Sequence, residues 1–384
     1  MPWIWENKEW PDYQCDVSEF TDDVAAFHLK SERLYGRIET LSENYQADAL
    51  VDLMLSEAIK TSAIEGELLD RDSVRSSLLS MIGIETTSIS QDERAEGAAA
   101  LMVDVRKNWD HPLTNELLGQ WQSCVIADQL TSSIMRGAYR NTPEPMQIVS
   151  GRIGKYTVHY EAPPAACVPK EMAWFLDWYN TTSPITGDGS LPGPVRAAIA
   201  HAWFENIHPF DDGNGRVGRA VADHALSQSL GYPSMACLST AIESDKKVYY
   251  AELEKVGKGG LDISPWIAYF TGAVNKAQDI AKLEVDFVLG KTRFYDKFDR
   301  QLNERQAKVV ARVFAEGTKG FEGGLTTKKY HAITKCSSAT ASRDLSDLVE
   351  KGIIVQLSGG GRSTRYKLSA VAPVVFPGWN RDNR

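Results

Sequence analysis

Twelve residues constrain this chain more than any others: His208-Pro-Phe-Asp-Asp-Gly-Asn-Gly-Arg-Val-Gly-Arg219, which lead directly into the helical stretch Val217–Leu230. Glycines on either side of Asn214 let successive backbone N–H groups turn inward as a nest, and the start of a helix adds positive potential there. Gly213, Asn214 and Gly215 are therefore expected to cradle an anion. Arg216 and Arg219, three residues apart, share one helix face and can grip phosphate oxygens with planar forks. Asp223, four residues after Arg219, is an alternative partner for that arginine. His208, five residues before the nest, is the natural general base near neutral pH. Asp212 touches the nest and is the candidate ligand for Mg²⁺ bridged to phosphate oxygens, whereas Asp211 reads as solvated. A base and a polyphosphate can thus share one pocket.

Composition narrows the alternatives. A chain of 384 residues exceeds one typical domain, so two or three units are expected. The net charge of −9 argues against a whole-chain nucleic-acid or membrane binder. Five cysteines without a CxxC pair favour reduced thiols in the cytoplasm over disulfides or a zinc site. The first residues are too polar for a signal peptide, and no apolar run reaches eighteen residues. Gly290-Lys-Thr292 resembles the end of a P-loop, but Val285 stands where its first glycine would be.

Along the chain, Trp3, Trp5, Trp10, Tyr13 and Phe20 suggest a small aromatic lid packed on the rest. Helical spacing runs from Asp22 to about Met81, and within it lies Thr61-Ser-Ala-Ile-Glu-Gly-Glu67. Gly66 reads as a helix stop, but Glu65 and Glu67 then lie at the negative end of a helix dipole. That placement is unfavourable unless a cation waits nearby. Two helices follow over 92–130, broken at Asp110-His-Pro112. Gln147–Gly151 and Tyr156–Tyr160 predict a lone hairpin, whose open edge is either a liability or a docking edge. Helices are expected at Lys170–Asn180, Pro194–Ile207, Ser244–Val256 and Pro265–Leu289.

His208 to Arg219 matches H-P-F-x-[DE]-G-N-G-R-x-x-R without a mismatch, and in this the chain resembles the Fic (filamentation induced by cAMP) family over residues 95–275. The resemblance implies a helical domain that transfers AMP from ATP to a Ser, Thr or Tyr hydroxyl of a target protein. It makes His208 the base, Asp212 the Mg²⁺ ligand, Gly213–Gly215 the α-phosphate cradle and Arg216 and Arg219 the clamps on the outer phosphates. It also makes the hairpin a flap, with Gly151, Val158, His159 and Tyr160 aligning a target segment. Tyr249 and Tyr250 resemble an aromatic wall near the adenine. Glycine at 213, where kinase-like Doc relatives differ, favours nucleotidyl transfer. Thr61–Gly66 matches the family's inhibitory pattern [ST]-x-x-x-E-[GN], implying that Glu65 pairs with Arg219 and displaces the γ-phosphate.

Residues 302–370 carry net charge +6, leaving −15 for the remainder. Three helices (Asn303–Ala315, Thr326–Thr334, Ser338–Lys351) and a ribbon with a Gly-rich turn give the layout of a winged helix-turn-helix. Arg343 and Lys351 lie on its third helix, and Arg362, Arg365 and Lys367 on the wing.

The expected fold is mainly α: an N-terminal Trp-rich module with the inhibitory helix (1–90), a Fic-type helical domain with a β-hairpin flap (91–290) and a C-terminal winged helix (291–384). The function expected is a cytoplasmic, self-inhibited protein adenylyltransferase using ATP and Mg²⁺. Removal of AMP by the same site is one alternative, and a DNA-binding regulator whose Fic domain senses ATP is another. Partners admitted by this reading are ATP, a protein target, the chain itself, a second copy as homodimer, and DNA or protein at the winged helix.

Overall fold

Glycines with positive φ mark where the helices end: Gly66 (φ 87°) after the second helix and Gly231 (φ 75°) after the eighth. The computed structural model describes residues 3–84, 92–126, 134–152, 155–357 and 364–369. Its helices are α1 (Thr21–Glu39), α2 (Glu43–Ile64), α3 (Arg71–Met81), α4 (Glu93–Lys107), α5 (Asn115–Val125), α6 (Val168–Thr181), α7 (Gly193–Ile207), α8 (Asn214–Leu230), α9 (Leu238–Ser244), α10 (Lys246–Lys258), α11 (Ser264–Phe298), α12 (Glu304–Ala315), α13 (Thr327–Thr334) and α14 (Ser338–Glu350). Two antiparallel hairpins complete it, β1 (Gln147–Arg152) with β2 (Lys155–Glu161) and β3 (Ile354–Gln356) with β4 (Tyr366–Leu368). The fold is mainly helical, as the spacing predicts.

Two boundaries differ from the sequence reading. The segment Ser244–Val256 is broken at Asp245, between α9 and α10. The helix expected to stop at Leu289 continues to Phe298, because Val288, Phe294 and Phe298 keep supplying a buried stripe.

The chain divides into two compact units, 1–36 with 50–281 and 37–49 with 282–384. In the first, α7 and α8 form the central pair. Val195, Ala197, Ala198, Ala200, Ala202 and Phe204 on α7 are all buried, so that helix is apolar nearly all round and sits inside the core. Small residues at its positions let neighbouring helices approach closely. The N-terminal aromatics pack onto this unit: Trp10 Nε1 donates to Glu171 Oε2 at 2.8 Å, and Trp5 Nε1 donates to Glu161 O at 2.7 Å.

The second unit holds α12, α13, α14, β3 and β4 around Phe294, Val309, Val310, Phe314, Tyr330, Leu345 and Leu348. Ser337 caps α14, its side chain accepting from Thr340 N. Arg362 and the Gly-rich turn expected at 358–361 lie outside the described residues.

Candidate active site

The site is built on the turn between α7 and α8. His208 closes α7 in the left-handed region (φ 51°, ψ 61°), an uncommon conformation for a side chain with a Cβ. What holds it there is Arg140, a buried side chain in the Gly- and Pro-rich stretch. Arg140 Nε donates to His208 O at 2.8 Å, its Nη2 to Pro163 O at 2.5 Å, and its backbone N to Pro209 O at 2.9 Å. Nothing in the spacing of the sequence singled out this arginine. Asn214 ties the other end of the turn, accepting from Phe210 N at 2.9 Å and donating to Phe210 O at 2.8 Å. Asn214 is thus a brace as well as part of the nest.

His208 Nδ1 lies 3.4 Å from Glu205 O. A carbonyl can only accept, so Nδ1 carries the proton and Nε2 of the neutral ring keeps its lone pair. Burial pushes the imidazole pKa down to about 4, against the opposing pull of the Glu205 carbonyl contact. Near neutral pH the ring is therefore an unprotonated base.

Gly213 begins α8 at φ 87°, and a Cβ there would meet Val125 Cγ2 at 2.8 Å. The position requires glycine on both grounds. Asp212 is exposed; its Oδ1 accepts from Gly213 N at 2.6 Å and lies 3.7 Å from Arg216 Nη2. Among the described residues no group of three or more His, Cys, Asp or Glu could hold a metal ion. A lone exposed carboxylate beside a nest still suits a cation held mainly by phosphate oxygens and water, which is how Mg²⁺ usually sits.

The two arginines are both buried and both engaged by the turn after α2. Arg219 Nη2 lies 2.8 Å from Glu65 Oε1, while its Nε and Nη2 donate to Thr61 Oγ1 and Thr61 O at 2.8 and 2.9 Å. Arg216 Nη1 lies 2.7 Å from Glu67 Oε2. Burial alone would lower the Arg219 pKa, but the negative groups around it, Glu65 first, more than offset this and the net direction is upward. Asp223, the alternative partner, faces Arg106 and Ser234 instead. Two donors remain buried without a partner, Arg216 Nε and Arg219 Nη1. Unsatisfied buried N–H groups cost free energy, and Arg219 Nη1 lies beside Gly215, 3.2 Å from where a Cβ there would stand.

Glu65, Glu205, His208, Gly215, Tyr249 and Tyr250 line one cavity of about 660 Å³, with β1 and β2 contributing Ile148, Ser150 and His159. That volume is within the range of small-ligand sites. A Cβ on Gly215 would come within 2.2 Å of Glu65 Oε1, so glycine here is what lets Glu65 approach. Tyr249 is buried with its hydroxyl 2.8 Å from His201 Nε2, whereas Tyr250 is 41% exposed. Glu205 was missed by sequence reasoning; burial pushes its carboxyl up to about 8, and the Glu65 charge adds to this.

On the hairpin, Gly151 has φ 119° and Val158 and His159 are partly exposed. Ile148, Val149 and Tyr156 present apolar surface to solvent at 41%, 49% and 60% exposure. Tyr160 is 5% exposed and its hydroxyl donates to Asn206 O at 2.6 Å, so its side chain anchors β2.

Residues 112–226 match the Fic/DOC family, and residues 3–84 match a domain of unknown function, DUF4172. The chain is 26% identical to Protein adenylyltransferase fic-1 of Caenorhabditis elegans, over 67% of this chain and 46% of that protein. It is 31% identical to Protein adenylyltransferase Fic of Drosophila willistoni, over 28% of this chain and 20% of that protein. The chain thus spans less than half the length of either relative. In fold it is like a crystal structure of a Fic family protein from Desulfovibrio desulfuricans, with a TM-score of 0.51, 20% identity, and 93% and 98% of the two chains covered. The turn between α7 and α8, the nest and both arginines fall within the matched segment, and this chain carries a Fic/DOC family domain.

Proposed function

We propose that this chain is a self-inhibited protein adenylyltransferase, transferring AMP from ATP to a hydroxyl of a protein. The observation that carries the reading is one pair of contacts. Arg219 is held by Glu65 at 2.8 Å, and Arg219 Nη1 is left buried without a partner beside the nest. A polyphosphate on the nest and Glu65 compete for one guanidinium.

In this reading the α8 N-terminus and Gly213–Gly215 bind the α-phosphate, and Arg216 and Arg219 bind the outer phosphates. His208 Nε2 takes the proton from the attacking hydroxyl, whose oxygen displaces pyrophosphate. Asp212 is the residue that would hold Mg²⁺, which when bound neutralises phosphate charge. Tyr250 offers a face to the adenine, with Tyr249 fixed behind it. The exposed apolar residues Ile148, Val149 and Tyr156 on the flap are suited to an extended target segment.

A charge-assisted pair worth about 1.5–3 kcal/mol shifts occupancy roughly 10- to 100-fold. The test is transfer of label from ATP to lysate proteins by the wild type, Glu65→Gly and Glu65→Gly with His208→Ala. Strong labelling only by the single variant is expected. Equal labelling by wild type and Glu65→Gly would falsify self-inhibition, and labelling that survives loss of His208 would remove it as the base for external targets.

Two further readings have an observation each. Glu65 lines the same cavity as His208, a placement that suits a carboxylate orienting water for removal of AMP from a modified protein. Incubation of a pre-modified target with the wild type tests this through release of AMP. In the second unit Ser338, Ser342, Arg343 and Ser346 form the exposed face of α14, while Asp344 is turned inward. A winged helix presenting that face would set Arg343 towards DNA phosphates. No described helix is long and apolar enough to cross a membrane.

A further inference from the structure

The flap carries a second arrangement of reactive groups. In the β1–β2 ladder Ile148 pairs with Tyr160 and Val149 with Val158, which leaves His159 as the extra residue of a bulge. Bulges re-aim a side chain, and this one turns His159 between a hydroxyl and a carboxylate. Ser150 Oγ lies 2.6 Å from His159 Nε2, and His159 Nδ1 lies 3.1 Å from Glu254 Oε2 on α10.

The direction of these bonds follows from the end of the row. The Lys258 ammonium, 2.5 Å from Glu254 Oε1, holds the Glu254 carboxyl below its usual range. An ionised carboxylate only accepts, so His159 Nδ1 carries the proton. In the neutral ring Nε2 then keeps its lone pair, to which the Ser150 hydroxyl can donate. This is the polarity of an activated nucleophile: hydroxyl, imidazole, carboxylate in sequence. Ser150 is exposed, and both it and His159 line the cavity that also contains His208 and Gly215. A hairpin stabilised only by cross-strand packing has no need of a buttressed histidine aimed at a serine.

We propose that Ser150 is a nucleotidyl acceptor within the chain itself, its hydroxyl oriented by His159 and Glu254. The proposal rests on the transfer reading above. The Ser150 oxygen forms a bond to the α-phosphorus of ATP, and the bond from that phosphorus to the bridging oxygen of the β-phosphate breaks. Pyrophosphate leaves with the electron pair. The hydroxyl proton passes to His159 Nε2, and Glu254 stabilises the imidazolium. The product is a phosphodiester of Ser150 with AMP, placed on the strand that would otherwise receive a target. A chain so modified has its own flap occupied.

The experiment uses the full chain with Glu65→Gly, ATP labelled at the α-phosphate, and peptide mapping by mass spectrometry, with a lysate arm run in parallel. AMP is expected on the peptide containing Ser150. Ser150→Ala should remove that label and Ser150→Thr should keep it. His159→Ala should slow labelling at this site about a hundredfold, the scale of losing a positioned base. Direct ATP-binding measurements on each variant separate loss of acceptor from loss of nucleotide. Labelled lysate proteins with Ser150 bare would overturn this proposal and leave the transfer reading standing. Label at Ser150 that is indifferent to His159 would overturn the relay. No label in either arm, with ATP bound, would overturn both.

Discussion

Glu67 Oε2 stands 2.7 Å from Arg216 Nη1, two residues after the carboxylate that holds Arg219. One turn of chain, opened by Gly66 at φ 87°, thus sets a carboxylate against each of the two arginines. The electrostatic misfit of two glutamates at a helix end is resolved by two cations from α8. Glu67 is about a third exposed and Arg216 is buried, so the pair is weaker than a fully enclosed one but not a surface pair. Glu67→Ala in the Glu65→Gly background should raise ATP affinity about 3- to 10-fold, corresponding to roughly 1 kcal/mol. Isothermal titration with ATP checks it, and an unchanged affinity would show that Arg216 is free to serve phosphate with Glu67 in place.

Arg140 gives a different kind of prediction, because it touches backbone only. Its removal leaves the carbonyls of Pro163 and His208 without their donor and frees the strained His208 turn. Arg140→Met should cost about 2–3 kcal/mol of stability, the scale of orphaned buried acceptors. Transfer by the Glu65→Gly chain should drop 10- to 100-fold in turnover, with the KM for ATP moving little, since the nest is held separately by Asn214. A change confined to KM would mean that Arg140 serves nucleotide binding.

Much of this site was legible because the chemistry is consecutive. His208, Asp212, Gly213 and the two arginines lie within twelve residues, and the helix that follows has an unbroken period. Glu65 could be read at a distance because its charge contradicted its place just past the end of α2 and because Thr61–Gly66 matches the inhibitory pattern. Arg140 and Glu205 gave no such signal: one is an arginine in a loop whose partners are carbonyls, and the other sits in a mostly apolar helix beside Asn206. The relay of Ser150, His159 and Glu254 was equally hidden, since a β-bulge shifts the register in a way that alternation alone does not reveal. The end of α11 was misplaced for a simpler reason. Phe294 and Phe298 continue its buried stripe, but the polar residues between them dilute the pattern.

Stability should fall in acid through His224. This ring is fully buried, with Nδ1 2.8 Å from the Tyr179 hydroxyl and Nε2 3.0 Å from Asn108 O. Burial pushes its pKa down to about 4, below the value of about 6.5 for an unfolded histidine. The unfolded chain therefore binds a proton that the folded chain refuses. The stabilisation is fully present above about pH 6.5 and is lost as pH falls towards 4. Between pH 7 and 5 the wild type should lose about 2 kcal/mol relative to His224→Gln, which has no ring to protonate. Denaturant unfolding of both proteins at the two pH values measures the difference. Parallel curves would mean that His224 is protonated in the folded state.

Arg343 and Asp344 are neighbours on α14 that point opposite ways, and their substitution should separate function from folding. Asp344 is 6% exposed and accepts from Arg305 Nε at 2.8 Å and from the Tyr330 hydroxyl at 2.9 Å, with Tyr330 itself fully buried. Asp344→Ala strands that hydroxyl and should destabilise the second unit by about 2–3 kcal/mol, whereas Asp344→Asn keeps an acceptor and should cost less. Arg343 is exposed, so Arg343→Ala should leave thermal unfolding within about 0.5 kcal/mol of wild type. If α14 meets DNA, the same change should weaken binding roughly uniformly across sequences and lower the salt slope by about one. Gel shifts at several salt concentrations, run beside thermal unfolding, read both quantities. A wild-type chain that binds no duplex at low salt would remove the DNA reading while leaving the Asp344 prediction in force, because that one depends only on the buried hydroxyl.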